Sequence, residues 1–252
     1  MPHKLYVVHG SHPCATVERA LALKGVPYRR IELPPPAHAL VQRARFGRRT
    51  VPALELSDGE RVVGSRAIVR RLEELVPEPP LFPSDAGERR AVETAEEWGD
   101  EVWQPIARRL LWTAFGRWPR AMASYQEGSR LPALPMPVLL ALAPVAIRVE
   151  RALNQATDAA AQADLAALPA HLDRIDAWIA DGVLDGGSPN AADLQIAATS
   201  RLLLTIGDVV PLFDGHRARD HALAVFPQAG GSVPPGVYPP AWLRSAAVVP
   251  RA

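Results

Sequence analysis

The sequence predicts a small α/β domain over residues 1–77 and an all-helical domain over residues 85–225. Three observations predict this division. Short β-branched and aromatic runs alternate with helical patterns only in the first part of the chain. The proline-rich stretch PEPPLFP indicates a linker, which we place at 78–84, and the apolar residues beyond it follow helical spacing. Frequent Pro and Gly residues mark 226–252 as a tail that either packs over the body or stays loose.

The α/β part reads β-α-β-α-β-β-α. Ser11 is a residue type that caps helices, Pro13 is tolerated in a first helical turn, and Gly25 is a helix stop. Asp58 and Gly59 form a turn signal between two strand-like runs. The predicted strands span 4–9, 28–33, 50–56 and 61–63, the predicted helices 11–25 and 66–75, and a short helix or loop covers 37–47.

The helical part begins with a segment that fits one long helix over 85–116, with Gly99 and Pro105 as expected bend points. Its other predicted helices span 136–154, 158–181, 191–206 and 210–224. Residues 131–147 have no charge, but a bilayer needs about 20 apolar residues. The composition therefore favours a buried helix there over a membrane segment.

Composition excludes several classes of function. The chain has 252 residues, of which nearly half are hydrophobic, enough for a large core. A net charge of +1 argues against nucleic-acid binding. The single cysteine rules out an internal disulfide and predicts a reducing, cytoplasmic location. The histidines are scattered without a ligand spacing, so we expect no metal site, and no nucleotide-binding glycine motif is present.

Four local motifs together resemble the glutathione S-transferase superfamily. They are Ser11-x-x-Cys14 at a helix start, a Val-Pro pair before a strand, a Gly-Ser pair before a helix, and SPNAADLQIA at 188–197. The resemblance covers about residues 4 to 224 and implies a thioredoxin-like domain followed by a helical bundle. It also implies a homodimeric enzyme that joins a small thiol, glutathione or a related one, to a small apolar electrophile, with no permanently bound cofactor.

Ser11 occupies the catalytic position of that family. A free thiol has a pKa near 8.5 and needs help to ionise at neutral pH. A helix N-terminus supplies unpaired N–H groups and partial positive charge, and a serine hydroxyl adds a hydrogen-bond donor. The alternative is that Ser11 only caps its own helix.

Two neighbours of Ser11 complete this motif. Cys14 is either a small core residue or the nucleophile of a redox thiol-transferase. His12 is expected at the surface, beside the bound thiol. Besides thiol conjugation through Ser11 and redox chemistry at Cys14, a third possibility is that the protein is a non-catalytic thiol-binding or regulatory module.

The remaining thiol-binding residues follow from the resemblance. Val51 and Pro52 resemble a cis-proline turn, preceded by Thr50, whose Val51 backbone pairs with the cysteinyl part of a bound peptide. The other reading of this pair is an ordinary trans proline at a strand start. Ser65 is expected to bind a carboxylate at the start of its helix.

The residues on either side of Ser65 depart from the family pattern, and two further groups have open roles. Gly64 stands where the family has an acidic residue, so the usual partner of the thiol's amino group is absent, and Arg66 adds positive charge. Arg48 and Arg49 either bind a terminal carboxylate or stay solvated. The tryptophans of the long helix either line the electrophile pocket or belong to the core; they are Trp98, Trp103, Trp112 and Trp118.

The helical part contributes one structural motif. Asn190 and Asp193 are expected to form a reciprocal capping box that satisfies exposed amides at a helix start. We expect the electrophile between Ser11 and the long helix, under residues 110–145.

Overall fold

A four-stranded mixed sheet lies at the centre of the N-terminal part in this computed structural model, which describes residues 2–35 and 37–247. Its strand order is β2-β1-β3-β4, with β1 and β2 parallel and the other pairs antiparallel. The strands are β1 (His3–Val7), β2 (Tyr28–Glu32), β3 (Ala53–Glu55) and β4 (Arg61–Val63). They agree with the predicted order, and the predicted strands are longer than the observed ones.

Three helices complete this part: α1 (His12–Leu23), α2 (His38–Phe46) and α3 (Ser65–Leu75). The segment 37–47, for which the sequence allowed a short helix or a loop, is therefore helical and contains α2. The side chains that bury the apolar faces of α1 and α3 against the sheet include Val17, Leu21, Ile68 and Leu72, all fully buried. Because α1 connects two parallel strands, it crosses over the sheet between them.

The described residues beyond α3 are mostly helical, as predicted. Its helices are α4 (Ala86–Trp98), α5 (Gln104–Arg117), α6 (Met136–Leu153), α7 (Asp158–Ala180), α8 (Ala191–Leu203), α9 (Arg217–Val225) and α10 (Pro240–Ala247). Helix α8 is buried along almost its whole length and packs against α1 of the N-terminal part. A hydrogen bond from the Thr16 hydroxyl to the Leu194 carbonyl, 3.2 Å long, joins these two helices.

The long helix is interrupted where the sequence predicts bends. A π-helical turn over Gly99–Trp103 separates α4 from α5. A β-carbon at Gly99 would lie 3.1 Å from the Ile196 side chain, so a glycine lets α8 pack closely here. Pro105 cannot donate a helical hydrogen bond, which favours a local departure from α geometry.

Two helical predictions need correction. The segment 210–224 is divided into a 3-10 turn at Val210–Phe213 and α9, because Gly215 adopts a left-handed φ of 80° between them. Residues Pro119–Gln126 form a further 3-10 segment that the sequence pattern did not predict. Helix α10 lies in the predicted tail, where proline at its first position is compatible with a helix start.

The uncharged segment 131–147 lies mostly in α6. One face of α6 is buried through Leu139, Ala143 and Ile147, while Leu142 and Val145 on the other face are exposed. The predicted burial thus holds for one face only. Among the described residues, no helix is long and apolar enough to cross a membrane.

The sequence allowed a tail that packs over the body or one that stays loose. Up to α10 the tail packs over the body. Val233 pairs with Ile206 in an isolated bridge, and Tyr238 is buried with its hydroxyl donating to the Leu110 carbonyl at 2.7 Å. The Asp208 carboxylate accepts from the N–H groups of Gly236 and Tyr238 at 2.6 and 2.8 Å. Residues 248–252 of the predicted tail lie outside the described residues.

The linker is held by a buried lysine. The ammonium of Lys24 donates to the carbonyls of Pro77 and Pro79, at 3.0 and 2.6 Å, and to the Glu73 carboxylate. Glu73 also accepts from the N–H of Leu81 at 3.0 Å. All three ammonium protons therefore have acceptors, which makes burial of this charge tolerable.

Candidate functional site

The three predicted motifs of the N-terminal part converge at one end of the sheet. The antiparallel pairing of Tyr6 with Ala53 places the Val51-Pro52 turn beside the residues that follow β1 and lead into α1. The Gly64 N–H donates to the Pro52 carbonyl at 2.9 Å, which brings the start of α3 to the same end. The peptide bond between Val51 and Pro52 is cis, as predicted.

Ser11 occupies the N-cap position of α1, but its side chain does not cap the helix. The Ser11 carbonyl accepts from the Ala15 N–H at 3.0 Å, whereas its hydroxyl makes no capping hydrogen bond. Within the described part of the chain, the N–H groups of His12 and Cys14 have no backbone acceptor either. The first turn of α1 therefore presents a hydroxyl and unpaired amides, which favour a negatively charged ligand.

Cys14 lies one turn inside α1 and is buried, with 2% of its surface exposed. Burial raises the pKa of its thiol to about 12, which outweighs the smaller lowering effects of the Ser11 side chain and the Val8 backbone. Cys14 is thus protonated at neutral pH. This environment is that of a core cysteine and disfavours the alternative of a redox nucleophile.

His12 is buried, so the expectation that it lies at the surface was wrong. Only 5% of its surface is exposed, and its Nε2 has no hydrogen-bond partner among the described residues. Loss of hydration on burial, and then the positive charge of Arg108, hold the pKa of His12 well below its usual value. The imidazole is therefore neutral and adds no charge beside Ser11.

Val51 has free backbone groups. Among the residues that the structure describes, neither its N–H nor its carbonyl has a hydrogen-bond partner. A peptide could therefore add to it as a short antiparallel strand. Thr50, next to it, is exposed.

Ser65 is buried against the helical part of the chain, with 3% of its surface exposed. Its hydroxyl oxygen accepts from the side-chain amides of Gln195 and Gln104, at 3.1 and 3.4 Å. Because both bonds use the oxygen as acceptor, the hydroxyl proton stays available to donate. Gly64 precedes it with a φ of 96°, a conformation that residues with a β-carbon rarely adopt.

The Arg66 guanidinium forms ion pairs with the helical part of the chain and does not line the cavity beside Ser11. Its guanidinium lies 3.3 Å from Glu96 and 3.2 Å from Glu97. Burial raises the pKa of Glu96 despite this pairing and that with Arg70.

The two other predicted arginines, Arg48 and Arg49, are exposed, and neither has an ion-pair partner in the described ranges. The structure thus favours the solvated alternative for this pair.

A cavity of about 430 Å³ opens beside Ser11, between α1, β2, the C-terminal half of α8, the loop near 128–130 and the tail at 226–230. Of the predicted site residues, Ser11, His12 and Cys14 line it. The others are not part of its lining: Thr50, Val51, Pro52, Gly64, Ser65 and Arg66. Ser11 therefore lines the cavity and belongs to the β1–α1 connection, beside which the Val51-Pro52 turn lies.

The walls of this cavity differ from the expectation in two ways. Of the range 110–145, only Gly128 and Arg130 contribute, and α8 and the tail take the place expected for the long helix. The lining also combines apolar residues with charged ones, since it includes Glu18, Arg30 and Arg201.

The tryptophans of the long helix are not part of this lining. Trp98 stacks on Trp103 at 5.5 Å between ring centroids and meets Trp178 edge-on at 5.2 Å. Trp103 is fully buried, and its Nε1 donates to the Ser200 hydroxyl at 3.0 Å. Trp98 and Trp103 thus belong to the core. Trp118 is 47% exposed.

Sequence reasoning missed the polar residues that the helical part contributes. Gln104 and Arg201 belong to no motif that we recognised, and Gln195 lies within the 188–197 motif but was given no role there. A weaker signal was present for Gln195 and Arg201, because both are polar residues on a mostly apolar helix, α8. A polar residue on a helix that is buried all round requires a partner, and it is therefore a candidate for binding.

The N-terminal part matches a known family. Residues 5–80 match the family model described as the glutathione S-transferase N-terminal domain. Residues 5–80 therefore form a glutathione S-transferase N-terminal domain. The small mixed sheet followed by a mostly helical region matches the glutathione S-transferase fold. A search of the curated proteins found no match.

Solved structures extend the likeness to the helical part of this glutathione S-transferase fold. A glutathione S-transferase from Rhodospirillum rubrum shares 22% identity with a TM-score of 0.61, covering 88% of this chain and 87% of its own. FzlA from C. crescentus shares 17% identity with a TM-score of 0.60 over 97% and 99%. A maleylacetoacetate isomerase from Anaeromyxobacter dehalogenans, with bound glutathione, shares 22% identity with a TM-score of 0.54 over 89% and 91%. At these identities the likeness establishes the fold.

Proposed function

We propose that the protein is an enzyme that binds a low-molecular-weight thiol, glutathione or a related one, and transfers it to an electrophile. The observation that carries this proposal is the state of Ser11. Its hydroxyl is not used to cap α1, and it lines a ligand-sized cavity at the helix N-terminus. A serine that served only as a cap would accept a hydrogen bond from an amide of the first turn.

The task of this site is to keep the guest sulfur ionised. Lowering a thiol pKa by about 2 units requires about 2.7 kcal/mol of preferential stabilisation of the thiolate. A hydrogen bond from a hydroxyl to a charged acceptor contributes about 1.5–3 kcal/mol, and a helix N-terminus adds about 0.3–1 kcal/mol. The Ser11 hydroxyl and the amides of the first α1 turn together supply the required magnitude.

The rest of the thiol would lie along the end of the sheet. The free N–H and carbonyl of Val51 suit the cysteinyl backbone of a peptide thiol. The Ser65 hydroxyl proton and the amides at the start of α3 suit a carboxylate. Gly64 has no side-chain acceptor for an ammonium group, so we expect weaker discrimination in favour of an amino-bearing head group than an acidic residue would give.

In the reaction, the thiol first releases its proton to solvent. The sulfur electron pair then forms a bond to the electrophilic carbon, and the leaving group departs with its own electron pair. Ser11 acts by donating to the sulfur before attack, so its hydroxyl lowers the barrier by raising the fraction of thiolate.

Calorimetry with glutathione and turnover of chlorodinitrobenzene test this proposal together. We expect glutathione to bind and turnover to occur, and Ser11→Ala to lower turnover more than thiol affinity. Ser57→Ala, at an exposed turn, is the matched control and should change neither.

The rival functions predict other outcomes of the same experiment. Binding of glutathione without turnover of any electrophile would point to a non-catalytic thiol-binding module. Thiol-transferase activity that is lost in Cys14→Ser would point to the redox alternative. The homodimer that the family implies remains a separate prediction, which sedimentation of the purified protein measures.

A further inference from the structure

The cavity beside Ser11 carries positive charge that the protein does not neutralise. The groups that face it are the side chains of Glu18, Arg30, Arg130 and Arg201 and the N-terminus of α1. Arg30 is paired with Glu18 at 2.6 Å and with Glu32. Arg130 and Arg201 also line the cavity, and over residues 2–35 and 37–247 no carboxylate lies within ion-pair distance of either guanidinium. Glu32 accepts from the backbone N–H of Arg130 at 3.1 Å but forms no ion pair with its side chain.

Arg201 is the better placed of the two. It is half-buried on α8, whereas Arg130 is exposed on its loop. Its Nε donates to the Phe226 carbonyl at 3.1 Å, which fixes the plane of the guanidinium against the tail. Burial alone lowers the pKa of Arg201, with no opposing effect of a nearby carboxylate. The two terminal nitrogens have no acceptor in the described part of the chain.

A fixed guanidinium with two free terminal nitrogens has the geometry that binds a carboxylate with two parallel hydrogen bonds. A half-buried cation without a counterion is unfavourable, and a bound carboxylate would compensate it. The positive N-terminus of α1 and the more exposed Arg130 add to the same preference for negative charge.

We propose that the cavity beside Ser11 receives an electrophile that carries a carboxylate, with Arg201 as the residue that determines this specificity. This inference rests on the proposed function, because it assigns the cavity to the second substrate. Ser11 would then separate the two substrates, with the thiol on the side of Val51 and the acid on the side of Arg201.

The test compares one acid with its own ester. Chlorodinitrobenzoate and its methyl ester react in the same way: the glutathione sulfur forms a bond to the ring carbon, and chloride leaves with the electrons of the carbon–chlorine bond. The thiol proton goes to solvent. The two substrates differ in charge at a position away from the reacting carbon, so the ratio of their kcat/KM values isolates recognition of the carboxylate.

We expect the natural protein to prefer the acid, and Arg201→Gln to lower the acid-to-ester ratio of kcat/KM by about tenfold to a hundredfold, as expected for loss of a charge-assisted hydrogen bond. Arg201→Lys keeps the charge but loses the planar fork, and it should retain part of the preference. Arg217→Gln removes an exposed arginine at the start of α9 and should leave the ratio unchanged.

Direct binding separates failure of this inference from failure of the proposed function. Calorimetry measures the affinity for chlorodinitrobenzoate without thiol. Acid binding that depends on Arg201, in a protein that turns over neither substrate, would support the carboxylate-binding cavity and overturn the proposed transferase activity. Turnover of both substrates with a ratio that Arg201→Gln does not change would overturn the inference and leave the transferase proposal standing. A rise in the KM for glutathione alone would assign Arg201 to the thiol and also overturn the inference.

Discussion

The buried state of Cys14 makes a quantitative prediction about its reactivity. The thiolate is the form that attacks a disulfide reagent, and the pKa of Cys14 is raised to about 12. At about pH 8, a thiol with a pKa near 8.5 is about one-quarter ionised, and one with a pKa of 12 is about one ten-thousandth ionised. Ionisation alone therefore slows the reaction by about 2000-fold, and burial of the sulfur slows it further.

Labelling with a coloured disulfide reagent measures this rate. In the native protein we expect Cys14 to react at least about 1000-fold more slowly than in the same protein unfolded in urea. The matched control is Ser11→Cys in a Cys14→Ala background, which moves the thiol one turn earlier, to the cavity and the helix N-terminus. That thiol should react rapidly in the native state, since the helix N-terminus lowers its pKa.

The opposite result would refute the reasoning. If native Cys14 reacted within about tenfold of its rate in urea, the cysteine would be accessible and ionisable, and the redox alternative would regain its basis. If neither thiol reacted, the first turn of α1 would be closed to small molecules, and the proposed role of Ser11 would be lost.

Three further predictions concern stability and are read from urea unfolding monitored by circular dichroism. Lys24→Met should destabilise the protein by about 3–5 kcal/mol because it leaves Glu73 without its buried partner, and an unchanged midpoint would show that the linker clamp is unimportant. Asn190→Ala should cost about 1–2 kcal/mol by removing the helix cap, without altering thiol affinity; a loss of affinity at unchanged stability would contradict this. Gly207→Ala would place a β-carbon 2.6 Å from the Pro235 nitrogen, so we expect a loss of about 1–3 kcal/mol and faster proteolysis of the tail, whereas resistance equal to that of the natural protein would show that the tail is not held there.

Much of the fold could be predicted because its signals are local. The strand runs, the helix stop at Gly25 and the capping box at Asn190 each depend on residues close in sequence, and each appears in the structure. The cis peptide bond before Pro52 could be predicted only from the family resemblance, since a proline alone favours the trans form.

The candidate site was harder to predict because its second half comes from distant parts of the chain. Gln195 and Arg201 reach the N-terminal part only because α8 packs against α1, and no local pattern encodes that contact. His12 was misplaced as well, and the Arg108 whose charge acts on it comes from α5, more than ninety residues away in the sequence. The division of 210–224 followed from the left-handed conformation of Gly215, which a helical pattern does not reveal.

The central claim is that the first turn of α1, with the Ser11 hydroxyl, keeps a bound thiol ionised. The pKa of glutathione bound to the protein, followed by the ultraviolet absorption of the thiolate, measures this directly. We predict a pKa about 2 units below that of free glutathione in the natural protein, and a rise of about 1 unit or more in Ser11→Ala. The same pKa in both proteins, or a bound thiol that ionises like the free one, would contradict the account.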